Sequence, residues 1–381
     1  MMKPVTTISK EDARQIILAS QGLMDNFFGK RKEGTLNVIE HLGYVQIDTI
    51  SVVERAHHHT IWTRVNDYHK KYLEELVNEK KVFEYWSHAA AYLPMQDYRF
   101  SLVRKERYIN AKERWYNNKK MLRFVLDRIK AEGPLQSKDF EENKKKAGWW
   151  EWKESKRALE QLFMEGKLMA AGRKGFQKVY DLTERVLPPD VNTAAPTPDE
   201  YAEYLVRKTI RANGLAAQKE IGYLRPHTRA SVEQAIKRLI KQGEIIPVAM
   251  DEGKELLYTT IETLEQGISV SVRKTVKILS PFDNSVIQRN RLKNIFGFDY
   301  TIECYVPEKK RVYGYFCLPV LYGNEFVGRI DCKAERENEL LVVRKQFFEK
   351  GFKPTQKFKD AFETSLQKFA KFNGCSSVSI K

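Results

Sequence analysis

Three stretches of the chain share one pattern of apolar and polar positions: two apolar helical turns, then a glycine, then an apolar strand. The glycines of the three copies are Gly43, Gly166 and Gly243. Apolar residues that recur every three or four positions predict an amphipathic helix, and glycine commonly ends a helix in left-handed backbone. The pattern predicts one degenerate unit repeated three times. Chance recurrence is the alternative, most of all for the first copy.

The second copy extends into a longer order of elements. Its predicted helices and strands are Met121–Ala131, Ser137–Asn143, Ser155–Glu165, Leu168–Ala171 and Phe176–Leu182. A basic turn, Arg173-Lys174-Gly175, joins the two strands. Three helices followed by a basic hairpin are typical of a winged helix. The third copy repeats the order, with a helix at Ser231–Lys241 and a hairpin that turns at Asp251–Lys254.

The pattern changes after Ser269, where short strands alternate with turns rich in Gly, Asn, Pro and charge. The predicted elements are strands at Val276–Leu279, Tyr300–Val306, Tyr313–Val320, Phe326–Asp331 and Glu339–Arg344, and a closing helix at Pro354–Phe372. This alternation of short strands and turns predicts a small antiparallel sheet or barrel. The expected fold is α+β, with tandem winged-helix (helix-turn-helix) units followed by a small C-terminal antiparallel β-barrel or sheet. The expected domains are 1–118, 119–190, 191–265 and 266–381.

The first copy carries the most suggestive polar residues. A helix capped by Ser9 and Asp12 precedes it, and the helix Thr35–Leu42 ends at Gly43. A strand then follows, in which Gln46 and Asp48 would project from one face because side chains two apart share a face. An ordinary half-exposed strand is the alternative interpretation.

Net charge narrows the class of partner. Lys and Arg number 66 against 50 Asp and Glu, giving +16 and a pI near 9.4. Such an excess points to a polyanion, with nucleic acid favoured over a membrane surface; a basic protein without such a partner is the alternative. The four cysteines form no CxxC pair, and the chain has neither a run of eighteen apolar residues nor an N-terminal signal core. We expect a cytoplasmic monomer, associated with the nucleoid when bound to DNA.

Several runs, in order along most of the chain, resemble the winged-helix DNA glycosylases of the AlkZ/YcaQ type. The runs are Val45–Ile50 with Ala56-His57-His58, Phe83–Ala90 with Leu93-Pro94, Leu279–Asp283, Phe296–Tyr300, Glu303–Pro307, Tyr313–Tyr315 and Val327–Asp331. The resemblance implies tandem winged helices with a small β-barrel. It also implies a catalytic signature of Gln, an apolar residue, then Gln or Asp. Gln46-Ile47-Asp48 is similar to the YcaQ-like branch, which implies action on N7-alkylated purines and interstrand crosslinks.

The implied chemistry suits these two side chains. Hydrolysis of an N-glycosidic bond passes through an oxocarbenium-like state, which a carboxylate stabilises while it activates water. A purine alkylated at N7 is already cationic and can leave without a general acid. We therefore expect Asp48 to stabilise charge and activate water, and Gln46 to position the water or the deoxyribose. No lysine lies in the motif, so we expect a monofunctional hydrolase without a lyase step.

Further residues are expected to contact DNA: Thr49, Arg55, His57, His58, Arg64, His88, Arg289 and Arg291. The alternative for His88 is a structural histidine, and for Arg289 and Arg291 it is plain solvation. A metal site at His57-His58-His59 is not favoured, because consecutive side chains diverge and no other ligand lies nearby. We expect neither a metal nor a cofactor.

The sequence thus favours a DNA glycosylase that acts on double-stranded DNA with alkylated or crosslinked purines. A non-enzymatic winged-helix DNA-binding protein, such as a transcription regulator, is the alternative, and a nuclease is a third class that would need clustered metal ligands. Because a crosslinked base is tethered to the opposite strand, we expect no deep, sealed base pocket at Gln46 and Asp48.

Overall fold

The computed structural model describes residues 5–24, 27–110, 115–140, 149–251 and 255–381, with the side chains of all but 149–153. Its helices are α1 Lys10–Ser20, α2 Arg31–Leu42, α3 Ala56–Trp62, α4 Lys70–Asn78, α5 Tyr98–Ile109, α6 Lys119–Glu132, α7 Trp149–Met164, α8 Thr183–Val186, α9 Pro198–Asn213, α10 Gln218–Ile221, α11 Arg229–Lys241, α12 Ile261–Ser269, α13 Arg289–Phe296 and α14 Gln356–Phe372. None of the helices within these ranges is long and apolar enough to cross a membrane.

The strands complete an α+β chain. They are β1 Thr6–Ile8, β2 Val45–Gln46, β3 Val82–Trp86, β4 Ala90–Pro94, β5 Leu135–Gln136, β6 Leu168–Lys174, β7 Gln177–Leu182, β8 Ala216–Ala217, β9 Ile246–Met250, β10 Leu257–Thr259, β11 Val276–Ile278, β12 Cys317–Tyr322, β13 Glu325–Glu335, β14 Leu340–Phe348 and β15 Ser377–Ile380.

The chain divides into two compact units. The first contains Met1–Tyr68 and Ala202–Lys381, and the second contains His69–Tyr201. The first unit therefore joins the N-terminal segment that carries Asp48 to the C-terminal sheet. This grouping is coarser than the four predicted domains, whose boundaries stay a prediction.

The start of the chain confirms the predicted helix signals. Ser9 and Asp12 form a reciprocal capping box at the start of α1. Helix α2 ends at Gly43, whose φ of 73° lies in the left-handed region that glycine tolerates best. The strand that follows is shorter than predicted, because β2 stops at Gln46 and Asp48 lies in a loop. Local bonding explains this, since the Asp48 carboxylate accepts hydrogen bonds from the Thr49 and Ile50 amides in place of a strand ladder.

Two later segments repeat one order of elements. The segment from α6 to β7 and the segment from α9 to β10 each run helix, short strand, short helical turn, helix, strand, strand. Their sheets have the same order, β5-β7-β6 and β8-β10-β9, and β1 adds in parallel to the second. The predicted helix Ser137–Asn143 is a 3₁₀ turn over Ser137–Phe140, and its remaining residues lie outside the described ranges. Residues 252–254 of the predicted Asp251–Lys254 turn also lie outside them.

The C-terminal part is a five-stranded sheet in the order β11-β12-β13-β14-β15. It confirms the predicted sheet and the closing helix, but the predicted strand at Tyr300–Val306 is wrong. There the Glu303 carboxylate accepts hydrogen bonds from three backbone amides and folds the segment into a loop. Strand β15, parallel to β14, was not predicted, because a run of only four residues after a helix gives little strand signal.

Residues that follow Asp48 are attached to this C-terminal sheet. Val53 and Ala56 belong to the same buried core as Leu318 and Phe369. A backbone hydrogen bond adds to this packing, because the Ala334 amide donates to the Val52 carbonyl at 2.9 Å. The loop that carries Asp48 is therefore positioned by residues almost 300 positions away in the chain.

A buried polar network underlies α3. The guanidinium of Arg64 donates to both carboxylate oxygens of Asp283, at 2.6 and 2.8 Å, and also to the backbone and side chain of Gln21. Gln21 in turn donates to Asn213, which accepts from Arg291 at 2.8 Å. Burial would raise the pKa of Asp283, but the Arg64 charge holds it below its ordinary value.

Removal of one partner of the buried Arg64–Asp283 pair should destabilise the first unit. In Asp283→Asn, the buried guanidinium loses its counter-charge, and we expect the free energy of unfolding to fall by about 3 kcal/mol or more. Urea denaturation measures this change. The matched control is Glu233→Gln, which breaks a solvent-exposed pair with Lys237 and should leave the free energy of unfolding nearly unchanged. Equal losses in the two variants would contradict the assignment.

Candidate active site

Asp48 lies in a partly buried loop directly after β2. Hydrogen bonds from the Thr49 and Ile50 amides hold its carboxylate, while Oδ2 is buried and accepts no hydrogen bond within the described ranges. Burial raises the pKa of Asp48 to about 6, although these amides and the charge of Arg55 act in the opposite direction. A carboxylate with a pKa close to neutrality suits a general base.

The segment before Asp48 is fixed from the C-terminal half of the first unit. Gln46 is buried at the end of β2. Two residues earlier, the Tyr44 carbonyl accepts a hydrogen bond from the Asn284 side-chain amide at 3.1 Å. On the other side of Asp48, the Glu54 amide donates to the side chain of Asn373 at 2.6 Å. The loop is therefore held at both ends by side-chain amides.

A second loop adjoins Asp48 that the sequence reasoning did not assign to the site. Ile50 and Cys304 pack against the same core cluster. Burial raises the pKa of the Cys304 thiol, and the Asp48 carboxylate raises it further. Partial burial and the charges of Cys304 and Asp48 likewise raise the pKa of Tyr305. In the sequence, the signal for this loop is the run Glu303–Pro307, which belongs to the family resemblance.

Three of the predicted DNA-contact residues remain accessible around this loop. Thr49 is exposed, and Arg55 is half-buried where α3 begins. His58 is also half-buried, and its Nδ1 forms a hydrogen bond of 2.7 Å with the Tyr68 hydroxyl. His57 lies one residue earlier but is buried, with its ring 4.3 Å from that of His58.

The predicted arginine contacts need correction. Arg64 is fully buried in its bonds to Asp283 and Gln21, so it supports the fold instead of meeting DNA. Arg291 is also buried, 3.3 Å from the Glu220 carboxylate. Arg289 is half-buried, donates to the backbone carbonyls of Pro281 and Val286, and lies 4.7 Å from the Tyr300 ring. Sequence alone cannot distinguish such arginines from phosphate ligands, because both uses need the same five donors.

Two further histidines, His88 and His59, lie in different units of the fold. His88 is half-buried in the turn between β3 and β4 of the second unit. His59 is completely buried and bonds through Nε2 to the Ile278 carbonyl at 2.9 Å; burial lowers its pKa to about 4.

Across the described ranges, no three His, Cys, Asp or Glu side chains are grouped so as to hold a metal ion.

Comparison with known proteins agrees with the sequence resemblance. A family model described as AlkZ-like DNA glycosylase matches residues 39–372. Among solved structures, the chain is similar to the DNA glycosylase AlkZ of Streptomyces sahachiroi, with a TM-score of 0.65 and 14% sequence identity. That alignment covers 99% of this chain and 100% of the other. At this identity the structural likeness shows a shared fold.

Asp48 should cost the protein stability at neutral pH. Because its folded-state pKa of about 6 exceeds the ordinary 3.8, the fold favours the protonated form, and stability is lost as the pH rises through 6. We expect Asp48→Asn to raise the melting temperature at pH 8 and to change it much less at pH 4. Thermal unfolding at both pH values tests this. Asp190→Asn, at an exposed position, should show no such dependence.

Proposed function

Because the chain belongs to the AlkZ-like DNA glycosylase family, we propose that it hydrolyses the N-glycosidic bond of N7-alkylated purines in double-stranded DNA. We include purines that are joined in interstrand crosslinks. The observation that carries the proposal is the Asp48 carboxylate, partly buried, with a pKa near 6, two residues after a buried glutamine. No metal or cofactor is required.

The proposed reaction needs only one base. Water attacks C1′ of the deoxyribose while the bond from C1′ to N9 breaks, and the bonding electrons leave with the purine and neutralise its N7 cation. The ionised Asp48 stabilises the positive charge that develops on the sugar and accepts the proton from the attacking water. Gln46 positions the water or the deoxyribose. The products are the neutral alkylated base and an abasic site.

The exposure of residues next to Asp48 supports the proposal that the protein acts on bulky and tethered lesions. Asp48 lies in a loop whose neighbours Thr49 and Ser51 are exposed, so its surroundings are open on that side. An exposed loop at the protein surface can meet a crosslinked base without drawing it deep into the interior. We propose that the lesion is processed with little extrusion from the helix.

DNA binding is proposed to use general rather than base-specific contacts. The net charge of +16 favours contacts with the phosphate backbone of DNA. Thr49, Arg55 and His58 are the candidate DNA contacts close to Asp48. His88 is a further candidate in the second unit. The segments from α6 to β7 and from α9 to β10 have the element order of winged helices, and we propose that they serve as such modules.

The lyase question has its own test. The stretch from Tyr44 to Arg55 contains no lysine that could form a Schiff base at the site. We therefore expect no covalent enzyme–DNA adduct after treatment with borohydride. A trapped adduct would contradict a monofunctional reaction.

Substitution of Asp48 should separate catalysis from binding. We expect Asp48→Asn to slow the release of 7-methylguanine from duplex DNA by about 10²–10⁴-fold, the typical contribution of a general base. Binding of the same duplex should be largely retained, because the change is nearly isosteric. Single-turnover release and fluorescence anisotropy measure the two properties, with Asp190→Asn as the matched control.

Substrate comparisons separate the competing functions. Wild-type protein is incubated, with chelator present, with 7-methylguanine DNA and with mustard-crosslinked DNA. Release of modified base supports the glycosylase. Retention of a particular undamaged sequence without release would instead indicate a transcription regulator, and strand cuts that chelator abolishes would indicate a nuclease.

The pH profile gives an independent check on the base. Since Asp48 acts in its ionised form, the single-turnover rate should rise tenfold per pH unit below about 6 and level off above it. Asp48→Asn should lose this rise. A wild-type profile that is flat between pH 4.5 and 7.5 would remove Asp48 from the role of base.

A further inference from the structure

A loop beside Asp48 presents apolar side chains to solvent. We define it as the Tyr305 loop, residues 303–315. Tyr305 is 77% exposed and Val312 is 69% exposed, and the exposed Lys309 and Lys310 lie between them. Among the described residues these are the two most exposed large hydrophobic side chains. Basic residues interleaved with aromatics are typical of surfaces that hold nucleic acid.

The loop is held in a fixed form despite its exposure. Glu303 accepts hydrogen bonds from the amides of Val312, Tyr313 and Gly314 at 3.0, 2.8 and 2.9 Å. Burial would raise the pKa of Glu303, but these amides hold it below its ordinary value. The Tyr313 ring lies 4.2 Å from the Arg329 guanidinium. The exposed ring of Tyr305 is thus presented by an ordered support.

Backbone packing at the far end of the loop adds to this support. Gly314 has a φ of 151°, and a Cβ at this position would lie 2.8 Å from the Asp331 carboxyl. Only glycine fits such a close approach without movement. The far end of the loop is therefore packed closely against β13, and Tyr305 lies between this end and Glu303.

The loop and the segment that carries Asp48 are attached to the same core. Ile50, two residues after Asp48, packs against the same core cluster as Ile302 and Cys304, which flank Glu303. The electrostatic coupling of Tyr305 to Asp48 agrees with this placement. The Tyr305 side chain and the Asp48 carboxylate therefore lie close enough to interact electrostatically.

We infer that Tyr305 contacts the alkylated purine directly and recognises its positive charge. The inference rests on the proposed function and names the part of the lesion that is read. The face of an electron-rich ring attracts a cation, and a stacked base adds further attraction. An unmodified purine is neutral and receives only the stacking. Lys309 and Lys310 hold the neighbouring phosphates, so Tyr305 adds discrimination to a contact that is otherwise general.

Binding without turnover tests the inference. The probes are a duplex with one 7-methylguanine on a 2′-fluoro sugar, which resists hydrolysis, and the same duplex unmodified. The quantity is the ratio of the two affinities, measured by fluorescence anisotropy with full-length protein. We expect Tyr305→Ala to lower this ratio by about fivefold, because the attraction of the ring for the cationic base is lost. Tyr305→Phe, which keeps the ring, should stay within about twofold of wild type.

Matched controls separate recognition from folding. Phe27 is another exposed ring, at 67%, in the loop before α2, and Phe27→Ala should leave the ratio unchanged. Melting temperatures of all variants should agree with wild type, because Tyr305 is largely solvent-exposed. An unchanged ratio in Tyr305→Ala, or an equal loss in Tyr305→Phe, overturns the inference.

Release assays distinguish this result from a failure of the proposed function. If wild-type protein prefers the methylated duplex through Tyr305 but releases no 7-methylguanine, recognition stands and the glycosylase proposal fails. If it releases 7-methylguanine and Tyr305→Ala keeps the full binding ratio, the glycosylase proposal stands and recognition by Tyr305 fails.

Discussion

The ion pair between Arg64 and Asp283 is the interaction on which the rest of the first unit depends. Both side chains are fully buried, so each needs the other to offset the cost of leaving water. Asp283 follows β11, while Arg64 follows α3, and the two are 219 positions apart in the sequence. The pair therefore brings the segment after the Asp48 loop to the start of the C-terminal region. Gln21 and Asn213 extend the same network to the ends of α1 and α9.

This arrangement explains how a loop can hold a partly buried carboxylate. Asp48 is not held by a strand ladder, and its position comes from backbone and side-chain hydrogen bonds at Tyr44, Val52 and Glu54. These hydrogen bonds hold the carboxylate in a partly desolvated position, at a cost in stability that the packed core offsets. Charged groups held in this way are a common source of trade-off between stability and activity.

The sequence predicted the elements that depend on local interactions. The capping box at Ser9, the left-handed Gly43 and the closing helix were all visible from residues close in the chain. The errors arise where a side chain bonds to distant or unexpected backbone. Glu303 turns a strand-like run into a loop by binding amides about ten positions away, and no periodicity signals this.

The residues of the candidate site also divide into those that the local sequence indicates and those that folding brings together. Gln46 and Asp48 could be chosen from the sequence because the motif is contiguous, although the strand geometry was wrong. Arg64 and Arg291 could not be distinguished from DNA ligands, because burial depends on partners brought together by folding. Tyr305 was missed for the opposite reason: its importance comes from its exposure and from its position beside Asp48, neither of which a sequence pattern records.

In the proposed function, the protein charge that attracts DNA is distinct from the base charge that marks the lesion. A net charge of +16 attracts damaged and undamaged DNA alike, so attraction to phosphate cannot select a lesion. In the proposed reaction, selection comes from the alkylated purine itself, whose positive charge weakens the glycosidic bond and makes the base a better leaving group. An enzyme that uses this property needs one carboxylate and an open approach more than it needs a closed pocket. An aromatic ring next to that carboxylate then adds preference for the cationic base without restricting the size of its substituent.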